Sequence, residues 1–558
     1  MTPQPDRGPT CAGAYAAWRE AATARGPAPG TGLARDRWLL PLLRELGYGN
    51  VPALSHGYDV EDTHYPISHA REHIPVHLLG PDAQLDRRNP GMLGAARAPQ
   101  AMVQEFLNRS DGHLWSVLCN GAKLRLLRDS TSLAGSAYVE FDLEAIFDGE
   151  LYAEFLLLFQ LAHCSRLEKR AGVAGSPADC WMEDWRAESV AAGTRALDKL
   201  RDGVQAALAS LGTGFLRHPD NRWLVDAIRN GQLSDRDYHR ALLRLVYRLL
   251  FTFVAEDRDA LLNPAAAPEA RTRYADYFST ARLRRLSSIR RGGPHPDLWQ
   301  AQRLVLDALG GDGLPQLGAP ALGGLYDPDH HAAMAPGQPH RDLLYGAELA
   351  NVDLLAAVRA LAWVSFTGER RQPVDYAHLG AEELGSVYES LLELVPRIDL
   401  DAQTFTLQRL AGNERKTTGS YYTPPALVSA LLDTALDPVL DATVRGAATP
   451  AEAEERLLAV TVCDPASGSG GFLVAAARRI ARRLAQLRAV EDEPTPEAVQ
   501  HALRDVVGRC IYGVDLNDLA AELAKVSLWL EALEPGKPLG FLDARIRVGN
   551  SLIGTTPA

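Results

Sequence analysis

The spacing of hydrophobic positions changes character along the chain. Between residues 35 and about 165 the types are mixed. WLLPLLRELGY (38–48) has helical spacing, whereas HIPVHLLG (73–80) and AYVEFDL (137–143) read as short strands. LWSVLCNGAKLRLLRD (114–129) predicts a hairpin, because Asn120-Gly121 between two β-like runs supplies the positive φ angles of a two-residue turn. From about 180 to 415 the 3.6-residue period dominates, as in DYHRALLRLVYRLLFTFVAEDRDALL (237–262). It is interrupted by ARLRRLSSIRRGGPHP (281–296) and by a Gly/Pro-rich stretch over 310–339 that predicts loop. In the last part AVTVCD (459–464), CIYGVD (510–515) and RIRVG (545–549) alternate with helical segments, which implies a parallel, helix-covered sheet. The reading is therefore a flexible lead (1–34), an α+β unit (35–170), a mainly helical connector (171–415) and an α/β domain (416–558).

Composition narrows the function classes. With 558 residues, 46% hydrophobic and 23% charged, the chain predicts several ordinary globular domains. A net charge of −12 argues against a polybasic nucleic-acid binder, so contact with phosphates needs a local basic surface. The densest candidate is Arg282, Arg284, Arg285, Arg290 and Arg291. Six scattered cysteines without a CxxC pair predict reduced, cytoplasmic usage and no zinc site. His330 and His331 lack partner ligands at suitable spacing, so no metal is expected. The N-terminus lacks an apolar signal core, and the longest apolar run (242–254) is broken by Arg244 and Arg248, so neither secretion nor membrane spanning is expected.

The chemistry concentrates in VCDPASGSGGF (462–472). A strand ends at Asp464, Gly468, Gly470 and Gly471 turn the chain tightly, and an amphipathic helix begins. Such a turn admits a ligand close to the backbone and offers it helix N-terminal N–H groups. Neither GxxxxGK[ST] nor GxGxxG is present, so ATP and NAD fall behind. Asp464 beside the loop suits a positively charged ligand and would repel a pyrophosphate. Asp515, at the end of the next strand, is placed to accept hydrogen bonds from ribose hydroxyls.

These residues resemble the adenine-N6 (amino) DNA methyltransferases of restriction-modification and phage-defence systems. GSYYTPPALV (419–428) is similar to that family's leading motif, DPASGSGGFLVAA to its glycine-rich motif, YGVDLNDLAAELAKVSLWL to the ribose-binding strand and helix, and FLDARIRVGNSLIG to the element that holds the cofactor's adenine. LGSVYESLLEL (384–394) and VYRLLFTFVAEDR (246–258) resemble segments of the large multidomain branch. The resemblance implies S-adenosylmethionine as cofactor, held by Tyr421, Tyr422, Thr423, Asp464, Ala466, Gly468, Asp515 and Asn550, on an incomplete Rossmann-like sheet. Asn550 stands where many relatives carry Asp, and its carbonyl can still accept from an adenine amino group.

The family's catalytic (Asp/Asn)-Pro-Pro-(Tyr/Phe) motif grips a flipped adenine. Here the Asn-Pro pairs, Asn89-Pro90 and Asn263-Pro264, continue with Gly91 and Ala265. The resemblance thus implies no catalytic residue within these 558 positions, weak cofactor binding at best and no methyl transfer by them alone. Double-stranded DNA is the expected partner, together with a second polypeptide carrying the missing parts if the enzyme is split. A non-catalytic DNA-binding or assembly subunit of a split methyltransferase and a fused restriction endonuclease are the rival readings. The 35–170 unit weakly resembles the nuclease-like domain of fused restriction-methylation proteins. Asp59, Glu61, Asp62 and Glu72 lie nearby, but IPVHLLG offers no Glu-x-Lys to hold Mg²⁺, so a structural or DNA-positioning role is expected over cleavage.

Overall fold

A computed structural model describes residues 11–25, 31–129, 138–170, 175–327, 343–344, 346–365, 371–392, 394–409, 423, 425–489, 494–537 and 542–553. The chain divides into two compact units, Met1–Ala191 with Arg482–Val499, and Ala192–Ala481 with Gln500–Ala558.

The first unit is built on a mixed five-stranded sheet whose strands neighbour one another in chain order. A small hairpin, β1 (Tyr58–Val60) and β2 (Thr63–Tyr65), precedes it; its strands are β3 (His69–Arg71), β4 (Ile74–Leu78), β5 (Trp115–Cys119), β6 (Lys123–Arg128) and β7 (Tyr138–Asp142). Helices α1 (Cys11–Arg25), α2 (Leu40–Glu45) and α3 (Pro99–Arg109) belong to the same unit. β4 and β5 run parallel across α3, and the other pairs are antiparallel. Hydrophobic clusters lie on both faces: Val117 joins one with Trp18 and Trp38, and its neighbour Leu118 joins the other with Met102 and Phe106. Side chains alternate along a strand, so burial on both faces explains why β4 and β5 are apolar throughout.

Two expectations are corrected in this unit. Within the predicted flexible lead, residues 11–25 form α1, which buries Ala14, Tyr15 and Trp18 against Trp38. The hairpin turn is displaced by one residue. Gly121 has φ +93° and Asn120 does not have a positive φ, so the two-residue loop is Gly121-Ala122. Asn120 instead uses its side chain, accepting from the N–H groups of Ala122 (3.1 Å) and Lys123 (2.8 Å) and donating to Ala83 O (2.8 Å).

His77 on β4 is 1% exposed; it donates from Nε2 to Gly94 O (2.8 Å) and accepts the Ser68 N–H at Nδ1 (3.2 Å). Burial pushes it down to about 4, against the opposing pull of the Gly94 carbonyl. A base depressed in the folded state stabilises above its unfolded value and loses that contribution as pH falls. The first unit should therefore lose up to about 3 kcal/mol between pH 6.5 and 4. Urea unfolding at several pH values would measure this loss, and an imidazole titrating near 6.5 in NMR spectra would refute it.

The second unit begins with α4 (Trp181–Arg217) from Ala192 onward and α5 (Asp235–Asp257), which is capped by Ser234 and buries every side chain from Tyr238 to Ala255 except those of Arg240 and Arg244. α6 (Thr280–Ile289) and α7 (Asn351–Ala362) pack together, followed by the short pair β8 (Trp363–Val364) and β9 (Gln372–Pro373). The predicted interruption at 281–296 is thus helical over its first part, because Ser279 accepts from the Arg282 N–H and caps α6. α8 (Ala381–Leu392) leads to an antiparallel hairpin, β10 (Leu394–Asp399) with β11 (Thr404–Arg409), which the connector's helical period does not announce. Phe405 of β11 packs against Tyr238 and stands where Gly212 leaves no room for a side chain. Among the described residues, no helix is long and apolar enough to cross a membrane.

Candidate functional site

The elements that build the last part of the chain include α9 (Pro425–Ala435), β12 (Val462–Asp464), α10 (Gly471–Ala489), α11 (Pro496–Arg509), β13 (Ile511–Asp515), α12 (Asp518–Glu531) and β14 (Ile546–Val548). The strands form a parallel sheet of order β12-β13-β14. The expected alternation is therefore present, and the carboxyl ends of all three strands share one edge.

At that edge β12 gives way to a turn over 465–470. Gly468 and Gly470 have φ of +52° and +88°. A Cβ on Gly470 would lie 3.1 Å from Ala524 Cα of α12, and one on Gly513 of β13 would lie 2.8 Å from Leu473 Cδ1. Glycine is needed in the turn for its backbone angle and beneath it for the close approach of α10.

Two aspartates frame the turn. Asp464 Oδ1 accepts from the Ala466 N–H (3.0 Å). Burial raises Asp464 above its ordinary value; the Ala466 N–H opposes this, and the Asp515 carboxylate adds to it. Asp515 accepts from the Gly468 N–H at Oδ2 and from the Asn517 N–H at Oδ1, both at 2.8 Å. It ties β12's turn to β13, and each carboxylate oxygen keeps a second lone pair for another donor. The arrangement sets two carboxylates beside a backbone turn, chemistry that suits a ligand bearing hydroxyl groups and positive charge. Ser467 Oγ, buried under the turn, has no hydrogen-bond partner among the described residues.

The other site candidates fall differently. Tyr421 and Tyr422 lie outside the described residues, whereas Thr423 is described and half-buried. Exposed Asn550 follows β14, and its side-chain oxygen accepts from the N–H groups of Leu552 (2.9 Å) and Ile553 (3.2 Å). That oxygen forms a local turn here, so contact with a ligand through it requires the turn to open.

Neighbouring elements that the motif reading did not place at the site also reach it. A Cβ on Gly385 of α8 would stand 3.1 Å from Ser469 Oγ, so α8 at Gly385 lies against the glycine-rich turn. Arg240 of α5 pairs with Asp518 at the start of α12 (3.3 Å), and Arg478 of α10 binds Glu531 through two bonds of 2.8 Å and also Glu382. The local signal was the likeness of 384–394 and 246–258 to segments of the family's large multidomain branch.

The arginine cluster is corrected in part. Arg284 is not available to phosphates: it binds Asp257 at 2.8 and 2.5 Å and lies over the Phe253 ring. Arg282 donates to Tyr277 O (3.2 Å). Arg285, Arg290 and Arg291 are exposed. In the first unit Asp59 pairs with His64 on an exposed hairpin, and Glu61 and Glu72 sit in turns with φ of +52° and +51°. Asp62 is exposed beside Glu61. No cluster of three or more His, Cys, Asp or Glu side chains fit to hold a metal stands among the described residues.

With the parallel sheet and its glycine-rich turn in place, comparison with known proteins shows what this part of the chain is similar to. Residues 444–535 match the family described as MmeI, DNA-methyltransferase domain. The match bears out the resemblance to the DNA methyltransferases of restriction-modification systems drawn from the motifs. A curated relative, the putative type II restriction enzyme and methyltransferase RM.MjaORFECS2P of Methanocaldococcus jannaschii, is 28% identical over 229 residues. That alignment covers 34% of this chain and 18% of the relative, so the chain spans under a fifth of the relative's length. Two solved structures are also similar. One is the type IIL restriction-modification enzyme MmeI in complex with DNA (18% identity, TM-score 0.33, covering 59% of this chain and 36% of that one). The other is a DrdV–DNA complex (12% identity, TM-score 0.23, covering 98% and 40%).

Proposed function

We propose that the chain supplies the cofactor-binding part of a site-specific DNA adenine-N6 methyltransferase of a restriction-modification or phage-defence system. The single observation that carries this reading is the glycine-rich turn held between Asp464 and Asp515 at the carboxyl edge of a parallel sheet. S-adenosylmethionine, when bound, supplies an electrophilic methyl group. Asp515 would accept from its ribose hydroxyls, Asp464 would face its positive charge, and the N–H groups of the turn would line its path; Thr423, with Tyr421 and Tyr422, would cover it. Duplex DNA is the substrate in this reading. The group that grips the flipped adenine comes from outside these 558 residues, either from further chain or from a second polypeptide, since no Asn-Pro pair here continues into Pro and an aromatic residue.

Calorimetric titration tests the reading. S-adenosylmethionine should bind the chain, and Asp515→Ala should weaken binding at least tenfold, the loss of about 1.5–3 kcal/mol for hydrogen bonds to a charged group. Asp464→Asn should weaken S-adenosylmethionine more than its uncharged-sulfur product, S-adenosylhomocysteine. Absence of binding at millimolar cofactor, or equal affinity in the Asp515→Ala variant, would sink the assignment.

A further inference from the structure

Three separate stretches of the second unit bring Arg290, Arg291, Arg359 and Arg371 together. Arg359 on α7 donates to Ser287 O (2.6 Å) and Arg290 O (2.5 Å), which lays its guanidinium on the C-terminal end of α6. The loop that follows α6 is pinned. Gly292 has φ +88°, and a Cβ there would lie 2.6 Å from the Asn351 carbonyl. The Val352 N–H donates to Gly293 O (3.1 Å), and the Asn351 N–H donates to His295 O (2.9 Å). Arg290 and Arg291 therefore ride on backbone fastened to the first turn of α7. Arg371 directly precedes β9, whose pairing of Gln372 with Val364 returns it to the far end of the same helix.

Among the described residues the four guanidiniums have no carboxylate partner. Burial lowers Arg359 below its ordinary value, and the charges of Arg371 and Arg291 lower it further. No ion pair involves Arg290, Arg291, Arg359 or Arg371 among the described residues. Elsewhere in this chain of net charge −12, half-buried arginines such as Arg284 and Arg478 hold acids.

We propose that this cluster is a phosphate-binding surface that holds the backbone of duplex DNA. Like charges held rigidly together repel, and phosphates would neutralise them while releasing counterions from the DNA. The planar, forked donors of arginine suit phosphate oxygens. The surface joins Arg290 and Arg291 to two residues remote in sequence, and it excludes Arg284. The choice of DNA among polyanions rests on the methyltransferase reading above.

The test uses the full chain, fluorescence anisotropy on a labelled duplex, and a parallel titration with S-adenosylmethionine. The double variant Arg291→Glu/Arg371→Glu should bind duplex roughly 10- to 100-fold more weakly at low salt. The slope of log Kd against log salt should fall by about two, near one per lost phosphate contact. Arg291→Lys/Arg371→Lys, which keeps the charge, should retain most of that slope, and cofactor affinity should be unchanged in both variants. Wild-type affinity and slope in a charge-reversed variant of unaltered Tm would overturn the surface. So would a wild-type chain that binds cofactor but no duplex, which would leave the cofactor site standing. Duplex binding with the expected charge dependence but without cofactor uptake would support the surface and overturn the methyltransferase reading. Polyglutamate competing as well as DNA at equal charge would overturn the DNA assignment in favour of an acidic protein partner.

Discussion

Gly470→Ala is expected to lower the stability of the second unit by about 2–4 kcal/mol and to weaken S-adenosylmethionine at least 30-fold. The left-handed backbone at φ +88° costs a side-chain-bearing residue about 1–2 kcal/mol. The new methyl group would also stand 3.1 Å from Ala524 Cα and 3.2 Å from its Cβ on α12. α12 cannot retreat freely, because every side chain from Leu519 to Leu530 is buried. Relief must come from the turn itself, which would carry the Gly468 N–H away from Asp515. Gly471→Ala is the internal control: nothing lies within 4 Å of a Cβ there, and the residue opens α10. Thermal unfolding and calorimetry on the two variants should separate cleanly. Equal behaviour would mean that the turn is not held as described.

Removing the Glu256 carboxylate should destabilise the second unit by roughly 3–5 kcal/mol, the range for breaking a buried charged network. Glu256 lies at the end of α5 and accepts from Tyr274 Oη (2.6 Å), the Thr280 N–H (2.8 Å), Thr280 Oγ1 (2.6 Å) and the Ala281 N–H (2.8 Å). It caps α6, whose far end carries Arg290. In Glu256→Ala these donors would be left without their acceptor, and Arg284 would lose a nearby countercharge. Glu256→Gln keeps the volume and one acceptor oxygen, so it should recover part of the loss. The midpoint of urea unfolding would measure both, and an unchanged midpoint in Glu256→Ala would refute the role. The next two residues extend the same junction. Asp257 clamps Arg284, and Arg258 donates to the carbonyls of Ala377 (3.0 Å), Leu379 (3.0 Å) and Leu530 (3.2 Å).

The parts legible in the sequence share a physical trait. The turn at 465–470 and strands β12 to β14 were readable because glycine spacing, an acid at a strand end and short β-rich runs are local consequences of backbone sterics and burial. Periodicity likewise marked the long helix α5. The β10–β11 hairpin was not readable, since its pairing depends on packing against α4 and α5 rather than on its own turn residues. The Asn120-Gly121 turn was placed one residue early because Asn120 found partners in Ala83 and its own strand end, an option that dipeptide preference does not contain.

What the sequence determined by itself is the chemistry available: an acid, a glycine-rich turn and a second acid in order, and a run of arginines between two helical stretches. Only the tertiary structure decided how those groups are used. Arg284 and Arg291 are seven positions apart in one basic run, yet Arg284 turns inward to Asp257 and Phe253, while Arg291 faces solvent beside Arg359 and Arg371. The reason is that a charge is either paired or presented according to which residues, distant along the chain, are folded against it. Residue type and spacing do not carry that information.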